Sequence, residues 1–522
     1  MNGAADPVPT ADVDVVIVGF GPTGMTLAAL LGQLGHRVLV FERYAGLYNL
    51  PRAAAFDDET MRTFQKLGVA ERMLPGTNIQ PGYVWVNGQG DVLLDIEYDN
   101  PGRCGWPSNY MMYQPHLESV LDARVQEFPA VEVRRSTTVT DIRQLDDIVE
   151  LDATGADGAT HRVRARFVVG CDGGNGITRT FVGGTLDDYG FFENWLVCDF
   201  KLRRDLPSLP SFSQVCNPDE PIAIVNIGPG HHRFSFRLEP DVRREDATEA
   251  ERVWRRVADY LTPEDADLIR IANYTFRSAI ADTWRRGNVL LAGDAAHQMP
   301  PFLAQGMVSG IRDARNLAWK LDLVLSGHSA ELLDSYQPER EPHVRFITEK
   351  AVELGRVQTM RDKDEARLRD ERMIAARKAN QKPDKLRYPG LTGGLIANHG
   401  DIFPQGLVSD SARTALFDDL LGTGWLLVTN GRQAVSDIAE QDLLAFAGLG
   451  GRHVSFGFDS LFDSADLYDT GGVYARWFTE HDSAGVIVRP DSYVYGLAPD
   501  AQELSTLLKQ LLTVFPRTHP SV

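Results

Sequence analysis

The chain has 522 residues, 43% of them apolar and 24% charged, with a formal net charge of −19. Its length allows about three domains, and its apolar content is too high for a disordered chain. No apolar run reaches the ~18 residues of a membrane-spanning helix, and the acidity argues against nucleic acid or an anionic membrane surface as a partner. The opening MNGAADPVPTAD has neither the basic stretch nor the apolar core of a signal peptide. Cys104, Cys171, Cys198 and Cys216 show no metal-type spacing. A reduced, cytoplasmic α/β or α+β protein is expected.

The first strong signal is Val13 to Val18, an apolar β-branched run suited to a strand buried on both faces. GFGPTG (19–24) follows, then an apolar helical stretch from Met25 that Gly35 stops, then a second strand ending at Phe41-Glu42. Strand, glycine turn, helix and strand in this order make a dinucleotide-binding βαβ unit. Gly19 permits the tight turn, Gly21 lets the backbone approach a pyrophosphate, and Gly24 lets helix pack on strand. The helix start offers free N–H groups to phosphate. Glu42 at the second strand tip would accept hydrogen bonds from an adenosine ribose.

From about 80 to 113 the texture is aromatic β, with a helix at Pro115 to Phe128 and hairpin-like strands leading into CDGGNG (171–176). Residues 186–279 again read mostly as strands. A buried-type strand, Asn288 to Ala292, then runs into GDAAH, which places Asp294 at a strand end; a helix starting near Gly306 could aim its N–H groups at an electron-rich ring edge. An extended FAD would span adenosine at Glu42 and ribityl at Asp294, whereas a single-Rossmann NAD enzyme has no need of the second strand end. Residues 361–387 are mostly charged and read as a solvated helix or connector, with a lid as the alternative. A compact α/β stretch begins near 400.

GFGPTG, CDGGNGITR (171–179) and GDAAHQMPP (293–301) together resemble the class A flavoprotein aromatic hydroxylases over residues 12–345. GVIVRPDSYVYG also resembles the thioredoxin-like C-terminal domain of the larger members, here without cysteine. The resemblance implies a Rossmann-like FAD-binding domain (12–80, 114–185 and 280–345) and an inserted β-rich substrate domain (81–113 and 186–279). A helical connector (346–394) and a thioredoxin-like domain (395–522) would follow. It implies FAD contacts from Gly19, Gly21, Gly24, Glu42, Arg43, Arg52, Gln114, Asp172, Asp294, Pro301, Gly306 and Met307, with Pro301 at the reactive flavin edge. Val308 stands where members often carry an asparagine. The cofactor motifs all precede residue 395, so the C-terminal domain is expected to be dispensable for FAD binding.

The implied reaction is hydroxylation of a phenolic substrate by O2 with NADH or NADPH, through a flavin C4a-hydroperoxide and without a metal. A flavin oxidase, or a cofactor-binding protein without hydroxylase activity, is the alternative; no W-x-W-x-I-P signature favours a halogenase. The substrate pocket is expected in the β-rich insert, with Trp85, Tyr110, Met112, Trp195, Gln214, Phe234 and Phe236 as candidates, about half of them facing away because strand side chains alternate. Arg233 or Arg237 could pair a substrate carboxylate. His231, His232 and His297 read as structural, no catalytic base stands out, and a homodimer is left open.

Overall fold

A computed structural model describes residues 10–239, 248–383, 385–410, 412–457 and 465–515. Val13–Val18, helix Pro22–Gln33 and Val38–Phe41 form the expected parallel unit. The strands continue into an eight-stranded sheet whose main path runs Arg285–Arg286, Val289–Leu291, Thr160–Gly170, Val13–Val18, Val38–Phe41, Val131–Arg134. Its parallel register aligns Val18 with both Gly170 and Phe41, and Gly170 with Leu291. Gly19, Glu42, Cys171 and Ala292 therefore leave the sheet side by side at the carboxyl ends of their strands, where open parallel sheets bind ligands.

A second eight-stranded sheet joins Gly82–Val86 and Val92–Glu97 to strands between Leu186 and Ala281, with His297–Gln298 at its far edge. Strand Asn109–Met112 is not part of it; it pairs with Ala55–Asp57 and Thr77–Ile79 in a small separate sheet. The charged stretch after residue 360 forms helix Lys363–Lys378, which buries only Ala366 and Arg369. The C-terminal part is a seven-stranded mixed sheet with helices including Glu440–Gly448 and Ala501–Val514. Its core contains Phe403, Phe417, Phe456 and Tyr474.

The C-terminal part is welded to the rest by buried charge. Arg62 donates to both carboxylate oxygens of Asp418, at 2.7 and 2.8 Å, and to the Phe403 carbonyl at 2.6 Å. Glu339 accepts from Lys320 (2.8 Å), Asn316 (2.8 Å) and Arg489 (2.7 Å). Burial pushes the Glu339 carboxyl up, but Arg489 and Lys320 outweigh it and hold it at about 2. Removing one member of such a pair strands a charge in a poorly polarisable interior, the costly outcome. Removal of this domain would leave Arg62 without Asp418 and take Arg489 from Glu339, which would keep Lys320 and Asn316.

Two outcomes follow. Asp418→Ala should cost about 3 kcal/mol of stability by urea unfolding, and the Arg62→Met/Asp418→Leu double substitution should recover most of it; a loss below about 1 kcal/mol would show the bridge to be weak. Glu339 is ionised at a lower pH folded than its ordinary value of 4.5. Its contribution is therefore complete above that value and lost as pH falls toward about 2. Thermal unfolding midpoints should drop more steeply below pH 4.5 in the parent than in Glu339→Gln, and parallel slopes would contradict this.

Candidate active site

The first cleft lies where the parallel strands end, with a volume of about 350 Å³ and walls that include Gly19, Gly21, Glu42, Arg43, Arg52 and Asp172. A second cavity of about 470 Å³ includes Arg52, Gln114, Asp294, Pro301, Gly306 and Met307. The two share Gly21, Pro22, Arg52, Cys171 and Gly173, so they adjoin along these residues.

The glycines fit a phosphate-bearing ligand for distinct reasons. Gly19 has φ +101°, and a Cβ there would sit 2.4 Å from the Cys171 carbonyl oxygen. A Cβ on Gly24 would lie 2.2 Å from the Gly19 carbonyl oxygen, so this position serves helix-on-strand packing and lines neither cavity. A Cβ on Gly21 would meet nothing within 4 Å; the backbone there faces open space. Gly21 also caps helix Pro22–Gln33 without any side-chain hydrogen bond and with no acidic residue in the first turn. An uncapped helix start beside open space suits an anion.

The carboxylates occupy the two ends. Glu42 accepts the Phe20 and Tyr44 amides at 2.8 and 2.9 Å, which fixes it at the strand tip. Asp294 is open to the second cavity yet deep in the protein, and that depth raises its carboxyl above the ordinary value, only partly offset by His297, Arg52 and Arg179. Burial likewise raises Asp172, against hydrogen bonds from the Thr178 hydroxyl and amide. His297 lies behind Asp294, 2.6 Å from Asp313. Asp313 also accepts from the Gly293 amide (3.0 Å) and Arg340 (2.9 Å). Burial raises this carboxyl, but His297 and Arg340 win and hold it at about 2. His297 thus supports the glycine-aspartate turn.

Gln114 staples the Arg52 loop: its Oε1 accepts the Arg52 and Ala53 amides at 3.0 and 2.6 Å, and its Nε2 donates to Glu118. The Arg52 guanidinium lies 4.0 Å over the Tyr48 ring. Ala304, at φ +54°, turns the chain from Pro301–Leu303 into helix Gly306–Leu325. Val308 is fully buried in the apolar core.

Of the pocket candidates, Trp195 and Gln214 line the second cavity. Phe234 and Phe236 do not: they pack with Leu196, Cys198 and Phe200 on the opposite face, and the alternation brings Arg233 and Ser235 to the cavity instead. Tyr110 stacks on Phe56 at 5.1 Å and Met112 enters the main core, leaving Met111 at the wall. Trp85 packs edge-on behind Tyr83, and Tyr83 reaches the cavity. Phe276, Phe302 and Gln358 complete much of the wall. Gln358 ends helix Tyr336–Gln358 with no local sequence signal for such a role.

The two arginines offered for a substrate carboxylate are already engaged. Arg233 binds Asp199 at 2.6 Å and the Arg52 and Pro51 carbonyls at 2.5 and 2.8 Å. Arg237 binds Glu239 and the Thr359 and Pro218 carbonyls. Buried His232 donates its Nε2–H to the Pro210 carbonyl (2.9 Å), its imidazole pushed down to about 4 by burial, and His231 stacks on Tyr113.

Residues 12–351 match the FAD binding domain family, and residues 400–514 the HcaD C-terminal domain family. A probable NADH-specific resorcinol 4-hydroxylase of Rhodococcus jostii is 70% identical over 96% of this chain and 94% of its own length. A 3-(3-hydroxy-phenyl)propionate/3-hydroxycinnamic acid hydroxylase of Mycolicibacterium gilvum is 35% identical over 95% of this chain and 91% of its own. Among solved structures, aklavinone-11 hydroxylase in a ternary complex with FAD and aklavinone superposes with a TM-score of 0.78 at 25% identity, covering 97% of this chain and all of that one (100%). The flavin-dependent monooxygenase PieE, in complex with FAD and substrate, reaches 0.81 at 22% identity, covering 97% of this chain and 99% of that one. Glycine turns, acidic strand tips and an aromatic cavity at the end of the cleft are thus those of an NAD(P)H-dependent FAD monooxygenase, and the chain belongs to the FAD-dependent aromatic hydroxylases.

Proposed function

We propose that the chain hydroxylates an uncharged dihydroxybenzene such as resorcinol with NADH and O2, one oxygen atom entering the ring and the other leaving as water. The observation that carries this reading is the charge balance of the second cavity. Arg233 is the one cation that the substrate-side sheet brings to its wall among the described residues, and Asp199 and two carbonyls already engage it. The other charged residues of the cavity, Arg52 and Asp294, stand on the cofactor side and are taken by FAD in this reading; the substrate-side wall is otherwise apolar or neutral, including Trp195, Phe276, Gln214 and Ser235. A carboxylate-bearing substrate would enter without a cation of its own, a heavy desolvation cost. The name of the 70% identical relative points to the same substrate and to NADH.

In this reading FAD lies stretched along the joined cleft. Glu42 accepts from the adenosine ribose, with Arg43 beside it. The Gly19–Gly21 turn and the helix start that follows it hold the pyrophosphate, with Gly24 letting that helix pack close. Arg52, placed by Gln114, faces the phosphates, with Asp172 in the same wall. Asp294 holds the ribityl hydroxyls, and the Gly306 and Met307 backbone and Pro301 border the ring. Bound FAD supplies the electron carrier that nicotinamide reduces and that O2 reoxidises. The protein orients the phenol beside it, and Trp195, Phe276 and Phe302 exclude water from the reacting carbon.

Glu42→Ala and Asp294→Ala should each weaken FAD binding about ten-fold, through one or two lost hydrogen bonds, read by flavin fluorescence titration; an unchanged dissociation constant in either variant refutes that residue's role. With resorcinol, phenol and 3-(3-hydroxyphenyl)propionate offered separately, NADH should be consumed fastest with resorcinol and in step with a trihydroxybenzene product. Hydrogen peroxide without hydroxylated product would make the protein an oxidase.

A further inference from the structure

Helix Gly306–Leu325 is buried nearly all round, and yet Arg312, Arg315, Asn316, Trp319 and Lys320 carry polar groups along one stripe of it. These positions recur at three- and four-residue spacing, so they share a face. The turn Arg489–Tyr493, between strands Gly485–Val488 and Val494–Ala498, covers that face. Ser492 takes a left-handed conformation, φ +64°, and receives Arg315 at 2.8 Å. Asp491 accepts from Trp319 and Asn316 at 3.1 and 3.2 Å.

One thread of this contact runs on to the cavity. The Tyr493 hydroxyl donates to Glu59 Oε1 at 2.8 Å. Glu59 Oε2 accepts from Arg312 Nε at 2.8 Å, and Arg312 Nη1 donates to Gln305 Oε1 at 2.8 Å. Arg312 Nη2 also binds Asp57. All four members of the thread are at most 4% exposed. Gln305 stands between left-handed Ala304 and Gly306, both at the cavity wall. A non-glycine residue held left-handed persists only where its surroundings over-determine it, and the Gln305–Arg312 bond is such a restraint.

We propose that the C-terminal domain positions the Ala304–Gly306 turn against the flavin through the buried chain Tyr493–Glu59–Arg312–Gln305. Tyr493 is then a positioning residue, acting from a domain with no cysteine and, among its described residues, no atom at the cavity wall. The inference rests on the FAD placement proposed above.

The test compares full-length holoenzymes carrying Tyr493→Phe, Tyr495→Phe, Gln305→Leu and the Tyr493→Phe/Gln305→Leu pair. Tyr495 lies in the same hairpin, with its ring 6.4 Å from that of Trp425, and controls for loss of a buried hydroxyl. Tyr493→Phe should raise the FAD dissociation constant about five-fold and shift the visible flavin band, and Tyr495→Phe should do neither. Gln305→Leu should reproduce both changes, and the double variant should be no worse than Gln305→Leu, because the two act along one chain. A Tyr493→Phe protein with a lower unfolding temperature but unchanged affinity and spectrum overturns the proposal, as do additive effects in the double variant. Should Tyr493→Phe not fold, Gln305→Glu, which keeps an acceptor for Arg312, must restore the affinity lost in Gln305→Leu; failure to do so overturns it equally. A parent protein that binds no FAD refutes the cofactor placement itself, a separate outcome.

Discussion

Everything in this molecule depends on the register of one parallel sheet. Val18, Phe41, Gly170 and Leu291 come level across four strands, so the turns that follow them open on the same edge. The sheet thereby converts residues some 250 positions apart in sequence into neighbours along one cleft. The fixed backbone dipoles and uncapped amides at that edge favour an anionic, extended ligand before any side chain is considered.

A second constraint is buried charge. Glu59, Arg312, Glu339, Arg489 and Lys320 are all withdrawn from water, and each is paired. Such networks are rarely the cheapest way to stabilise a core, but they are unforgiving of partial occupancy. Here they cross from the FAD-binding sheet's helices to the C-terminal hairpin. The two parts are consequently one thermodynamic unit around helix Gly306–Leu325, whose first residues border the active cavity.

The sequence made the cofactor cleft legible because its signals are local: a glycine needed for close approach at 19 or 24, a helix start just after that turn, and an acid at the next strand tip. It was less informative about the substrate wall. His231–Arg237 is buried on both faces over most of its length, so no exposed residue fixes the phase of its alternation, and Phe234 and Phe236 read as well toward the cavity as away from it. The polar stripe of helix Gly306–Leu325 has the pattern of a solvent-facing one; it in fact meets a loop almost two hundred residues away. Gln358 had no signal at all, since only tertiary packing brings that helix end to the cavity.

The central claim is that a single FAD molecule runs from Glu42 to Asp294 along the joined cleft. A crystal structure of the FAD-loaded protein tests it most directly. The account predicts the adenosine ribose within hydrogen-bonding distance of the Glu42 carboxylate and the ribityl chain within that distance of Asp294. An FAD that touches only one of these carboxylates, or lies outside the cleft, would contradict it.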